Sequence, residues 1–341
     1  MNFDHLFSTA HGEPLASAKL KATPQDFVVE ETLSFPLSGE GEHLYLYLRK
    51  TNANTDWVSR QLSRQLGVPQ RDIGYAGLKD RHGVTAQWFS LLRRHDTEAR
   101  LEKLQIEGVE LCDVIRHTRK LRKGAIKHNH FSICLRDLDA EPARLQQRLQ
   151  TIVQAGVPNY FDEQRFGRQR GNLEAATAMF ARQLKPSRFQ RGIYLSAARS
   201  WLFNLILTER VLQQRWHRAM AGDVFWLNGT RRFFVADALD ASITQRLQEG
   251  DIHPTGALWG AGELQSRQDV AKLEQAIIEN WPVLRQGLID ARLTQDRRPL
   301  RVLPQAMTHR YDHAQHCLQV SFNLPAGAYA TAVLREFVVA E

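Results

Sequence analysis

The sequence predicts an α+β protein in which both chain ends form one domain and a second domain is inserted at about residues 157–303. Three observations carry this. Period-two alternation is concentrated in the first 135 residues, helical patterning dominates 173–292, and strand-like alternation returns at 317–322. The return follows a basic, proline-marked stretch, Arg297-Arg298-Pro299-Leu300-Arg301-Val302-Leu303-Pro304. A plain tandem of two domains is the other arrangement that 341 residues allow.

In chain order, 26–31 and 43–49 are expected to be extended. In the second of these, Leu44, Leu46 and Leu48 alternate with Tyr45, Tyr47 and Arg49. Residues 55–65 form a helix capped by Asn54 or Thr55, with Val58, Leu62 and Leu66 on one face and Gly67 and Pro69 ending it. Strands follow at 87–92 and 131–135. The helix at 141–155 has Asp139 as its cap and Leu145, Leu149 and Ile152 on one face, and it stops at Gly156 and Pro158. Beyond Pro158 the pattern predicts helices at 173–183, 195–216 and 268–292, the last bent or broken at Pro282. Short strands at 223–227 and 232–235 lie between them.

Composition narrows the classes. With 43% hydrophobic residues the chain can bury a sizeable core, and 45 Lys+Arg against 37 Asp+Glu give +8 and a pI near 9.6. That excess suits a polyanion, nucleic acid above all. The cysteines, Cys112, Cys134 and Cys317, form no Cys-x-x-Cys pair, so neither a disulfide framework nor a cysteine zinc site is expected. No signal peptide and no membrane-spanning run is read, and the expected compartment is a reducing one, the cytoplasm.

The stretch Gly74-Tyr75-Ala76-Gly77-Leu78-Lys79-Asp80-Arg81-His82-Gly83 is the most informative in the chain. Lys79, Arg81 and His82 surround Asp80 in sequence, and neighbouring cations favour an ionised carboxylate. Such a group suits a nucleophile or charge stabiliser better than a general acid. The competing reading is ordinary hairpin-turn chemistry.

Three further clusters accompany it. Arg116, Arg119, Lys120, Arg122, Lys123 and Lys127 lead into Asn129-His130-Phe131, which reads as a phosphate track beside an amide and a ring. Residues 159–171 interleave Tyr160, Phe161 and Phe166 with Arg165, Arg168 and Arg170, a pattern suited to phosphate contact and base stacking. Leu324-Pro325-Ala326-Gly327-Ala328-Tyr329-Ala330-Thr331 reads as a turn entering a helix.

His128 and His130 are candidate acids or bases, expected to face opposite sides of their strand and so not to share a site. His309, His313, His316 and Cys317 offer ligand atoms but lack a second ligand pair, so no metal is expected. No phosphate-binding Gly-x-x-x-x-Gly-Lys-Ser/Thr loop, Gly-x-Gly-x-x-Gly or Gly-x-Ser-x-Gly is present.

The 74–88 stretch closely resembles the catalytic motif of the TruD family of tRNA pseudouridine synthases. Four more stretches match that family in order: 21–31, 124–131 ending Asn-x-Phe, 157–167 (Val-Pro-Asn-Tyr-Phe-Asp-Glu-Gln-Arg-Phe-Gly) and 324–331. The resemblance implies a pseudouridine-synthase domain with a mixed, largely antiparallel sheet, formed by 1–156 and 304–341, plus an inserted α/β domain at 157–303. It implies cofactor-free isomerisation of uridine 13 in the tRNA D arm by a monomer. Asp80 then falls on the catalytic position, and Phe27, Asn129 and Tyr329 fall on substrate-binding ones. Phe131 falls where other pseudouridine synthases present a Tyr to the target base, and Lys21 is a nearby cation. Arg165 and Arg168 are expected RNA contacts. Two rival readings stay open: an RNA-binding chaperone, and a metal-dependent phosphodiesterase using Asp80, Asp162 and Glu163.

Overall fold

The structure, a computed structural model, describes residues 3, 7–236, 238–312 and 316–341. The chain divides into two compact units, one of Leu15–Pro142, Pro304–Gly327 and Val338–Glu341, the other of 1–14, Ala143–Leu303 and Ala328–Phe337.

Among the described residues the first unit is built on a ten-stranded sheet. Its main path runs Gln305–Asp312, Cys317–Pro325, Ile126–Arg136, Phe27–Leu33, Val84–Leu92, His43–Thr51, Val109–His117. Phe27–Leu33 pairs in parallel with Val84–Leu92, whereas the other neighbours on that path are antiparallel. The leucines of His43–Thr51 face a helix, Thr55–Leu66. Leu44, Leu46 and Leu48 bury with Val58, Leu62, Leu66, Phe89 and Leu91 in one core cluster. Each such side chain contributes about 1.5–3 kcal/mol when fully buried. Asn54 caps the helix by accepting from the Asp56 amide at 2.9 Å, and Gly67 ends it at φ 66°.

The second unit packs helices Gly171–Phe180, Arg188–Leu212, Gln268–Glu279 and Pro282–Asp290 around Trp201, Phe203 and Leu207. Pro282 starts the last of these, as the broken helix required. The mostly helical middle also holds a four-stranded sheet of Phe233–Val235, Val224–Leu227, Ile252–Leu258 and Asp296–Pro299, antiparallel throughout. Two of its strands were not foreseen, because Pro254 and Gly256 interrupt one and Arg297-Arg298 dominate the other. Arg297 is buried against Glu274 at 2.9 Å, so that charge is structural.

The units differ from the expected 1–156, 157–303 and 304–341 boundaries. Helix Pro142–Ala155 falls almost wholly in the same unit as 157–303, and its Arg148 ties it to the unit's other two stretches by donating to carbonyls of Gly12, Glu13 and Glu336. The Glu336 carboxylate in turn accepts from the amides of Ala10 (2.8 Å) and His11 (3.0 Å).

Candidate active site

Asp80 lies on the loop between strands Gly74–Tyr75 and Val84–Leu92, with its side chain 40% exposed. The Lys21 ammonium sits 3.8 Å from Asp80 Oδ2 and 4.0 Å from the centre of the Phe27 ring. Phe27 is buried and meets Phe131 edge-on, ring centres 6.2 Å apart. Phe131 stacks on Phe322 at 5.6 Å. Asn129 lies two residues before Phe131 on the same strand and shares its face, and its Oδ1 is buried without a hydrogen-bond partner. The sheet unit thus brings together Lys21, Phe27, Asp80 and Phe131, and sets Asn129 on the same sheet face. The result is a carboxylate with the Lys21 ammonium beside it, near aromatic walls, and an unpartnered amide oxygen on the same sheet face.

Lys79 does not serve Asp80 as expected. Its ammonium pairs with Glu31 at 2.5 Å, the two side chains 5% and 0% exposed. Glu31 also accepts from the Trp88 amide at 3.3 Å. Arg81 and His82 are exposed. The loop backbone is held by groups that sequence reasoning missed. Thr55 Oγ1 accepts from the Lys79 amide (3.1 Å) and donates to Gln87 (2.8 Å), while Gln87 Nε2 donates to the Gly77 carbonyl (3.0 Å). Lys50 donates to the carbonyls of Ala53 (2.6 Å) and Asp80 (2.9 Å). One signal pointed to it: Lys50 continues the buried series Leu44, Leu46, Leu48.

Burial lowers the Lys50 ammonium to about 8 from 10.5, with Asp80 opposing the shift and Lys79 adding to it. The folded value lies below the unfolded one, so between about 8 and 10.5 the unfolded chain binds more protons. The Lys50 contribution to stability is therefore constant below about 8 and rises with pH through that window. Urea midpoints of the wild type minus those of Lys50→Met are expected to climb from pH 7.5 to 10. Parallel curves would refute this.

Gly83 closes the loop at φ +134°, where a Cβ would lie 2.6 Å from the Phe27 carbonyl oxygen. Gly83→Ala is expected to destabilise by about 1–3 kcal/mol and to lower activity by displacing Phe27, measurable by thermal melting and turnover.

In the other unit, Arg165 lies on the turn Glu163–Phe166, which Asp162 caps by accepting from the Gln164 amide at 2.8 Å. Its guanidinium donates to Ser196 Oγ and to the Tyr329 hydroxyl, and lies 5.1 Å from the Phe161 ring centre. Arg298 covers the same ring at 4.0 Å, and burial lowers its guanidinium to about 10. Thr331 Oγ1 donates to Asp162. Arg165 and Tyr329 are thus brought together, whereas Arg168 points to solvent on the next turn.

His128 and His130 correct the expectation placed on them. Residues two apart share a strand face, so both lie opposite Asn129 and Phe131. His130 is held there by Asn323 (2.8 Å) and Ser321 (3.0 Å). Among the described residues no three His, Cys, Asp or Glu side chains are grouped to hold a metal; His313 lies outside those residues. No described helix is long and apolar enough to cross a membrane.

The fold is shared with the solved structure of a putative tRNA pseudouridine synthase D (TruD) from Methanosarcina mazei. The TM-score is 0.75 at 21% identity, covering 98% of this chain and 95% of that one. The family model "tRNA pseudouridine synthase D (TruD)" matches residues 7–186 and 174–337. tRNA pseudouridine synthase D of Hydrogenovibrio crunogenus is 46% identical over 331 residues, 97% of this chain and 95% of that protein. The protein of the same name from Nitrosococcus oceani is 45% identical over 327 residues, 95% and 91% of the two chains. The chain belongs to the TruD family of tRNA pseudouridine synthases, isomerases that act on tRNA.

Proposed function

We propose that this protein isomerises uridine 13 in the D arm of tRNA to pseudouridine, with Asp80 as its catalytic carboxylate and no cofactor. The observation that carries the reading is the Asp80–Lys21–Phe27–Phe131 group with the unpartnered Asn129 Oδ1 on the same sheet face. Substrate and product are isomers, so the reaction needs no net electrons or transferred atoms. The N1–C1′ bond breaks, the uracil turns, C5 bonds to C1′, the C5 proton leaves to solvent, and N1 takes up a proton in its place. Asp80 either attacks C1′ or takes a proton from the ribose to give a glycal; both routes use its ionised form. Phe27 and Phe131 wall the uracil, and Asn129 Oδ1 accepts its N3–H. The base must leave its stack to react, at a cost of a few kcal/mol that phosphate contacts offset. In the other unit Arg165, Tyr329 and Arg168 are proposed RNA contacts, and the sheet unit is proposed as the catalytic domain. The enzyme is proposed to act as a cytoplasmic monomer.

The test is tritium release from tRNA transcripts labelled at uracil C5, with and without EDTA. Release should occur, ignore the chelator and vanish when uridine 13 is replaced by cytidine. Release from the replaced transcript would move the target; no release from any tRNA would favour the RNA chaperone.

A further inference from the structure

Beside the strand Gly74–Tyr75, the sheet unit holds a cavity of about 510 Å3 lined by Ser59, Gln70, Arg71, Tyr75, Lys120 and Lys123, among others. We propose that it is a second RNA site, taking a phosphodiester of the bound strand on Arg71 and Lys123. The inference rests on the synthase reading for its substrate and assigns a contact outside the Asp80 group.

Charge is the first argument. Three of the lining residues are cations and, among the described residues, no carboxylate lines the cavity. An anion placed there meets a net positive lining, the nearest hydrogen-bonded carboxylate being Asp56 behind the Tyr75 hydroxyl at 2.7 Å. Rigidity is the second. A basic loop that merely kept the protein soluble would need no fixed course, yet 119–124 is anchored at Arg119, Lys120, Leu121 and Gly124. The Arg119 carbonyl accepts from the Tyr45 hydroxyl at 3.1 Å, the Leu121 amide donates to Ser90 Oγ at 2.8 Å, and Leu121 is buried. Lys120 Nζ donates to the Arg71 carbonyl at 2.6 Å, tying the two cationic walls together. Gly74 leaves no room for a side chain under this loop: a Cβ would lie 2.4 Å from the Leu121 oxygen and 2.7 Å from Ser90 Oγ. Cations carried on a backbone of fixed course lose less freedom when they bind than those on a loose loop, so more of the Coulomb gain appears as affinity.

Position is the third argument. The Gly124 amide donates to the Ala76 carbonyl at 2.8 Å, and Ala76 opens the loop that carries Asp80. A strand gripped at this cavity is therefore registered against the segment that sets the catalytic carboxylate. Phosphate contacts of this kind position a nucleic acid without reading its bases.

The test is an Arg71→Ser, Lys123→Ser double variant; both residues are exposed, and melting curves check the fold. Filter binding of tRNA across salt concentrations should show affinity down about tenfold at 0.1 M salt, with the log–log slope smaller by about 1–2. In turnover KM should rise, with kcat at saturating tRNA within about twofold of wild type. A charge-preserving Arg71→Lys, Lys123→Arg variant should retain the slope. An unchanged slope and KM would overturn the proposal. So would a fall in kcat without a change in binding, which would mean a structural effect on the loop. Inorganic phosphate bound by the wild type while the double variant keeps the tRNA slope would reduce the cavity to a free-anion site and overturn the RNA assignment. The binding slope needs no catalysis, so a wild type without tritium release would refute the synthase reading alone.

Discussion

Asp80→Asn is expected to lower tritium release from labelled tRNA by about 10^4-fold or more while leaving the protein folded. The two halves of this expectation have separate grounds. Chemically, the amide matches the carboxylate in shape but neither attacks C1′ nor accepts a proton there. Structurally, Asp80 gives the fold little: its side chain is 40% exposed and its ion pair with Lys21 spans 3.8 Å. A pair of that kind contributes about 0–1 kcal/mol, so the melting temperature should move by only a few degrees. The loop itself is fixed by the Asp80 and Gly77 carbonyls and the Lys79 amide, none of which the substitution removes. tRNA affinity should be close to wild type. Activity that survives would remove Asp80 from the mechanism, whatever the family; activity lost together with the fold would leave the residue structural.

The sequence was most informative where a periodic pattern met a single packed face. Leu44, Leu46 and Leu48 predicted a strand because one side of it meets a helix, and Val58, Leu62 and Leu66 predicted that helix for the same reason. Where both faces are covered or polar, the pattern failed. Ile252–Leu258 is almost wholly buried and contains Pro254 and Gly256, so neither alternation nor composition marked it as a strand. Val109–His117 has no buried residue. In the candidate site, residue types and order were legible, since Asp80, Phe27, Asn129 and Phe131 come from short, recognisable blocks. Directions were not. Lys79 and Lys21 are both lysines near an aspartate, and only the turn between strands decides that Lys21 faces Asp80 while Lys79 turns to Glu31. His128 and His130 were misjudged on simple strand geometry. Lys50 was overlooked because a charged residue at a strand end suggests solvent, although its place in the alternation pointed inward.

The pair that sets this direction should be costly to break. Lys79→Met leaves Glu31 0% exposed and without its 2.5 Å partner, keeping the Trp88 amide at 3.3 Å as its hydrogen bond. Removing one member of a buried ion pair costs about 3–5 kcal/mol, because the stranded charge has lost both water and counter-charge. A melting temperature lower by roughly 6–20 °C is the expected result. Glu31→Gln should cost a similar amount by stranding the ammonium instead. Replacing both, as Lys79→Met with Glu31→Met, should recover most of the stability, since two apolar side chains pack where two charges had to be desolvated. Activity should not return with it. Lys79 immediately precedes Asp80, and its tether to Glu31 fixes the direction from which the chain enters the Asp80 position. A double variant that is stable yet slow, with kcat reduced more than tRNA affinity, would separate positioning from folding. A Lys79→Met protein that melts within about 2 °C of wild type would mean that the pair adds little to stability, and that the loop is held by Thr55, Gln87 and Lys50 alone.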